Sequence, residues 1–271
     1  MSDLLIGTSG YDYPEWKGAF YPEDLKRKDF LSFYATQFNA LELNNTFYNM
    51  PTAERLLSFY ERSEGKLNFS VKANRLLTHE IGADWQVAAK DFKEALKPLN
   101  EKERLSAVLF QLPESFHYTN DNRIYLAKLI AEFEGFPVMI EFRHKEWIRE
   151  SVFEGLEKRK VGIVFCDMPQ VKNLPDGTVM KTPFIGSSAY IRLHGRNEGA
   201  WYTAGESLNG SARYCYDYSD EELAQFVPII KQAKQEGKKV QVYFNNHPNG
   251  SGAMNGLKLK EMIEKDETGE K

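Results

Sequence analysis

The chain has 271 residues, 42% hydrophobic, 27% charged and 13% aromatic, with a formal net charge of -4, which is ordinary for a globular protein long enough to bury one large core. The acidic balance supplies no global basic field for non-specific nucleic-acid binding, so any anion site has to be local. The two cysteines, Cys166 and Cys215, stand far apart and outside any CxxC spacing, which argues against a disulfide framework or a thiolate zinc site.

From Met1-Ser2-Asp3 the chain enters a short apolar strand without the basic flank and longer apolar run of a signal peptide, and no stretch approaches the roughly 20 apolar residues of a bilayer span. A cytoplasmic protein with no membrane association is the expectation. Strands are predicted to begin near Leu4, Ala40, Leu67, Leu105, Pro137, Val161, Ala189 and Lys239. Between most of them apolar residues recur at three- and four-residue spacing, the mark of amphipathic helices. These run through Phe30 to Phe38, Ala53 to Arg62, Trp85 to Leu96, Arg123 to Phe133, Trp147 to Leu156, Leu223 to Ile230 and Leu257 to Ile263. Strand alternating with helix argues for parallel βα units, and eight of them for a single (β/α)8 barrel of the TIM type over residues 1–265. Pro169, Pro175, Gly177 and Pro183 make the connection between strands 6 and 7 irregular, and 266–271 reads as a charged, frayed tail.

In such a barrel the outer face of each strand packs on helices, while the inner face turns polar near the C-terminal mouth where active sites lie. Alternation then sorts the residues. It places Glu42, Asn44 and Thr46 inside on strand 2, Ser70, Lys72 and Asn74 on strand 3, and Glu141 and Arg143 on strand 5. Tyr190, Arg192 and His194 follow on strand 7, then Gln241, Tyr243 and Asn245 on strand 8; Gln111 ends strand 4 and Asp167 strand 6, where the alternation is less clean. Three permanent cations meet two carboxylates, and buried charges are costly unless paired. One reading is a purely structural plug of ion pairs. The other uses the surplus cation, with the amides of Asn44, Gln111, Asn245 and Asn246, to hold a phosphate or carboxylate on a hydroxyl-bearing body.

Ordered motifs carry a family resemblance. They are Gly7-Thr8-Ser9-Gly10-Tyr11 with Trp16 and Phe20-Tyr21-Pro22, Glu42-Leu43-Asn44-Asn45-Thr46-Phe47-Tyr48, Lys72, Thr78-His79 and Gln111-Leu112-Pro113. They continue with Glu141-Phe142-Arg143-His144 and Trp147, Arg192-Leu193-His194-Gly195-Arg196, and Val242-Tyr243-Phe244-Asn245-Asn246 with Gly252 and Asn255. The chain resembles the DUF72 family of YecE-like proteins over nearly its whole length. The resemblance implies a TIM-type barrel related to sugar isomerases, with a likeness also to endonuclease IV-type barrels, and leaves the chemistry open.

Glu141 is the first candidate for a general acid or base, against a fixed ion pair with Arg143, and His194 and Lys72 complete the expected catalytic set. Glu42, Asn44, His79, Gln111, Arg143, His144, Arg192, Tyr243, Asn245 and Asn246 are the expected ligand-binding residues, with Lys72, Arg143 and Arg192 as an anion clamp. Aromatic residues crowd the loops after strand 1 (Tyr11, Tyr13, Trp16, Tyr21) and strand 7 (Trp201, Tyr202, Tyr214, Tyr216, Tyr218), where they bury loops or stack on a ligand. The Arg196 to Ser219 loop is the candidate lid. No metal or cofactor is expected, because cations occupy the inward positions where a metal cluster would need carboxylates and histidines. The expectation is an enzyme doing acid/base isomerase or hydrolase chemistry on an anionic sugar-like molecule. A nucleic-acid-processing protein and a non-catalytic metabolite sensor are the alternatives.

Overall fold

The alternation in each apolar run closes the sheet on itself. In the computed structural model, which describes residues 4–175, 184–201 and 211–268, the strands are β1 (Leu4–Ser9), β2 (Ala40–Leu43), β3 (Asn68–Lys72) and β4 (Leu105–Gln111). They are followed by β5 (Val138–Glu141), β6 (Gly162–Asp167), β7 (Ser188–Leu193) and β8 (Lys239–Phe244). Each pairs in parallel with its sequence neighbour, and β8 returns to β1 with Thr8 opposite Phe244. The fold is an α/β barrel of the TIM type.

Two cores result from the two faces. Outward residues such as Ile6, Leu41, Phe69, Val108, Ile140, Ile191 and Val242 pack on the surrounding helices. Inward, Leu5, Ala40, Ala107, Leu109, Met139, Val164, Tyr190 and Tyr243 fill the lower barrel as an apolar floor. Most polar inward residues stand at the strand ends above it, the end at which barrel enzymes act, whereas Gln241 is buried at the level of the floor and donates to the Ser106 carbonyl at 3.1 Å.

The surrounding helices are α1 (Phe30–Gln37), α2 (Ala53–Arg62), α3 (Trp85–Glu101), α4 (Asn120–Glu132) and α5 (Glu150–Glu157), then α6 (Glu198–Trp201), α7 (Asp220–Ala224), α8 (Phe226–Gln235) and α9 (Ser251–Thr268). Caps set several starts: Thr52 and Thr119 accept backbone N–H bonds, and Ser219 with Glu222 forms a reciprocal capping box. Helix α3 outruns its predicted end at Leu96 because buried Leu99 continues the stripe of Phe92, Ala95 and Leu96. The predicted frayed tail is corrected in part. Lys231–Asp266 and Lys234–Glu267 ion pairs tie the last turns of α9 to α8, so the helix runs to Thr268. Between β6 and β7, Met168–Pro175 and Phe184–Ser187 form no helix, as the prolines predict; 176–183 lies outside the described residues. None of the described helices is long and apolar enough to cross a membrane.

The aromatic loop after β1 is packing rather than an open platform. Trp16 and Tyr21 are 1% exposed, Tyr21 stacks on Phe30 at 4.1 Å, and the Trp16 indole N–H donates to the His247 carbonyl at 2.6 Å. At Gly7, opposite Ala40 of β2, an added Cβ would lie 2.0 Å from the Ala40 carbonyl oxygen and 2.9 Å from the Tyr34 hydroxyl. Backbone cannot swing aside as a flexible side chain does. Gly7→Ala is therefore expected to destabilise the fold by about 3 kcal/mol or more, at the upper end of ordinary overpacking. Urea denaturation checks this; a loss below about 1 kcal/mol would mean that the β1–β2 seam yields.

Candidate functional site at the strand ends

Arg192 stands at the centre of the polar layer and is 1% exposed. Its Nη2 donates to Glu42 Oε1 and its Nη1 to Glu141 Oε2, both at 2.6 Å. Glu42 receives two further bonds, from the Ser9 hydroxyl and the Tyr190 hydroxyl, each 2.6 Å. Since the Tyr190 proton goes to Glu42, the Ser70 hydroxyl 2.6 Å away donates to Tyr190. Arg143 Nε donates to the other oxygen of Glu141. Both carboxylates are thus consumed by the two arginines, and a completely buried pair of this kind is sustained only by such multiple bonding.

Lys72 is the cation left over. It points inward from the end of β3, half-buried, and among the described residues its ammonium makes no ion pair; its contact is with the Phe47 ring, 4.5 Å from Nζ. A cation–π contact is worth about 0.5–1 kcal/mol at exposed sites and does not replace a carboxylate. Burial, reinforced by the Arg192 charge, therefore lowers the Lys72 amine to about 7. Burial and then Lys72 push His79 down to about 4. Its ring meets Phe47 at 4.8 Å and its Nδ1 lies 2.9 Å from the Thr78 hydroxyl.

The two other expected proton carriers are held fixed. Burial alone would raise the Glu141 carboxyl, but the Arg143 and Arg192 charges outweigh it and keep it well below the usual carboxylate range. A general acid needs a proton that such a group does not hold at neutral pH. His194 is fully buried, with Nε2 3.0 Å from Arg143 Nη2 and Nδ1 3.0 Å from the Asn245 amide. Arginine can only donate, so Nε2 accepts and Nδ1 carries the hydrogen; the Asn245 amide, whose nitrogen stands 3.0 Å away, has to turn its oxygen to that hydrogen. Burial and the Arg143 charge keep this imidazole neutral. Both side chains hold Arg143, Glu141 through its Nε and His194 through its Nη2.

Other expected residues scatter. Asn44 lines an opening of about 310 Å³ at the mouth with Glu42, Gly10, Tyr13 and Arg55, and its Oδ1 has no hydrogen-bond partner. Gln111 sits at the end of β4 opposite Glu141 and donates to the Leu112 carbonyl at 3.0 Å. Tyr243, expected to touch ligand, lies a layer too deep: it is buried in the apolar floor with its ring 5.0 Å from that of Tyr190. His144 leaves the cluster altogether, packing against His117 at 4.4 Å and accepting from the Glu146 N–H. Asn246 is buried against the loop after β7, donating to the Tyr214 carbonyl at 3.3 Å. Asp167 points outward, where it binds Arg196 and the Tyr218 hydroxyl.

Reasoning from sequence missed Cys166, which alternation with Val164 would have placed inside. Its sulfur and the ligand atoms of Glu141 and His194 lie within 4.8 Å of one another. A metal there would have to break the Arg143–His194 bond, so this donor set is already committed to a guanidinium. Burial pushes the Cys166 thiol well up, which leaves it a poor nucleophile. Trp201, one of the aromatic residues singled out after strand 7, is 4% exposed, and its ring stands over the Arg143 guanidinium at 5.7 Å. It belongs to the loop proposed as a lid, of which 202–210, including Tyr202, lies outside the described residues.

Replacing Glu141 by Gln leaves two buried guanidiniums short of a counter-charge and is expected to cost about 3–5 kcal/mol. The sign with pH follows from the lowered carboxyl. Its stabilisation is complete above the unfolded value near 4.3 and is lost as pH falls towards the folded one. The gap between wild type and Glu141→Gln should hold steady above about pH 5 and narrow below about pH 4. Denaturation at several pH values measures it, and a gap independent of pH would show that Glu141 is not held ionised.

Similar proteins agree with this architecture. A family model described as "Protein of unknown function DUF72" matches residues 5–271. The chain is 27% identical to the UPF0759 protein YunF of Bacillus subtilis strain 168, over 96% of this chain and 95% of that protein. A DUF72 family protein from Thermotoga maritima MSB8 superposes with a TM-score of 0.85 at 32% identity, covering 96% of this chain and 99% of the other. One from Enterococcus faecalis V583 shares the fold at a TM-score of 0.80 and 23% identity, covering 96% and 95%. A match that runs from the first strand through the last helix leaves one assignment: the chain belongs to the DUF72 family.

Proposed function

We propose that the strand-end mouth binds a small anionic molecule of the sugar phosphate or sugar acid kind and moves a proton on it, as an acid/base isomerase or hydrolase would. The observation that carries this reading is the division of labour among the cations. Arg192 is spent on Glu42 and Glu141, so it does not belong to the anion clamp expected for it. Arg143 has Nε and Nη2 engaged, which leaves Nη1 without a partner among the described residues and free to meet an anion. Lys72, with an amine near 7, exchanges protons at physiological pH, the property a general acid or base requires. Asn44, whose Oδ1 is unpartnered in the opening beside Glu42, suits a hydroxyl group.

A panel of sulfate, sugar acids and sugar phosphates, followed by thermal denaturation, tests binding. A ligand at 100 times its Kd should add about 2.7 kcal/mol, and Arg143→Gln should abolish the gain. Proton transfer is tested with the ligands that bind, by following exchange of their carbon-bound hydrogens in heavy water by NMR. Lys72→Met should slow exchange by about 10²-fold or more while retaining binding. The same panel carries single-stranded and abasic oligonucleotides, with and without chelator. Nicking of those, with no response to any small anion, would overturn the reading in favour of nucleic-acid processing.

A further inference from the structure

The geometry points to Lys72 as a nucleophile that forms an imine with a carbonyl carbon of the bound molecule, which narrows the ligand to an aldehyde or ketone bearing a phosphate or carboxylate. This rests on the preceding reading of the mouth as an anion site, and it replaces the proton-carrying role given there to Lys72 by a covalent one, since one lone pair cannot serve both. An amine attacks a carbonyl only through its unprotonated lone pair. Among the described residues nearby, Glu141 and Glu42 are held by arginines and His194 Nε2 by Arg143, while the Cys166 thiol keeps its proton. Lys72 alone in this set has no ion pair or hydrogen bond to its side-chain nitrogen among the described residues, and it retains access to solvent.

The step balances without a co-reactant. The Nζ lone pair bonds to the carbonyl carbon as the C=O π pair moves to oxygen. The two hydrogens of the neutral amine leave with that oxygen as water, giving the C=N bond. Protonated, the imine is a cation set among Glu141, Glu42 and the arginines, and it acidifies the neighbouring C–H bond, as isomerisation or carbon–carbon cleavage requires. Glu141 raises the affinity of the Lys72 site for a proton, so the same carboxylate favours the charged imine. Arg143, on the next strand but one, is placed for the anionic group.

Pyridoxal 5′-phosphate, used as a probe because it joins an aldehyde to a phosphate, tests this on the full chain. The complex is reduced with borohydride and the labelled lysines are mapped by mass spectrometry of peptides. At pH 7.5 an amine near 7 carries on the order of several hundred-fold more free base than an ordinary lysine. Label should therefore concentrate at Lys72 and fall when sulfate competes. It should be absent from Lys72→Met, whose circular dichroism reports whether it is folded. If that variant does not fold, the wild-type pH profile decides: labelling of Lys72 should be half-maximal near pH 7, while surface lysines still gain above pH 9. Binding that sulfate displaces, with no label on Lys72, overturns the imine and leaves the anion site standing. Label spread evenly over the surface lysines also overturns it. The absence of any sulfate-sensitive binding removes both readings.

Discussion

The bridge from Arg192 to Glu42 and Glu141 is the constraint on which the rest of the site depends. It joins β7 to β2 and β5 across the barrel, and it does so where no water competes for the charges. Low dielectric makes such a bridge strong once formed and costly to break on one side. Its consequence is chemical as well as structural. By taking an oxygen from each carboxylate it fixes where Arg143 lies, through Glu141, and which way His194 presents its nitrogen, through Arg143.

What remains after that pairing is one positive charge too many. A half-buried ammonium with no carboxylate of its own gives up its proton readily, because burial penalises the charged form and the neighbouring arginines repel it. The same arrangement that stabilises the mouth therefore produces a lysine poised near neutrality. Perturbed groups of this kind cluster at functional sites. The apolar floor below, closed by Tyr190 and Tyr243, keeps the polar layer shallow and facing outwards.

Alternation in the sequence was enough to place Glu42, Lys72, Glu141, Arg143, Arg192 and His194 on one inner face and to count three cations against two carboxylates. It also told the irregular β6–β7 connection from its prolines. Depth escaped it: alternation says that Tyr243 points inward but not that it lies below the mouth, since depth is set by the stagger of neighbouring strands. Asp167 shares the face of Ile163 and Phe165 and so points outward, a reading open to the sequence once the parity of β6 is fixed. Which carboxylate each arginine would take was not legible at all. That division depends on ångström-scale reach, and on it rests the proposal that Lys72 rather than Glu141 or His194 does the chemistry.

The most direct measurement is the titration of the Lys72 side chain itself, read by NMR from its Cε and Nζ shifts in the folded protein. A midpoint near 7 is the result this account predicts. A midpoint above about 10, the range of an ordinary solvated or ion-paired lysine, would mean that Lys72 shares in the carboxylates, and would contradict the division of charge on which the proposed chemistry rests.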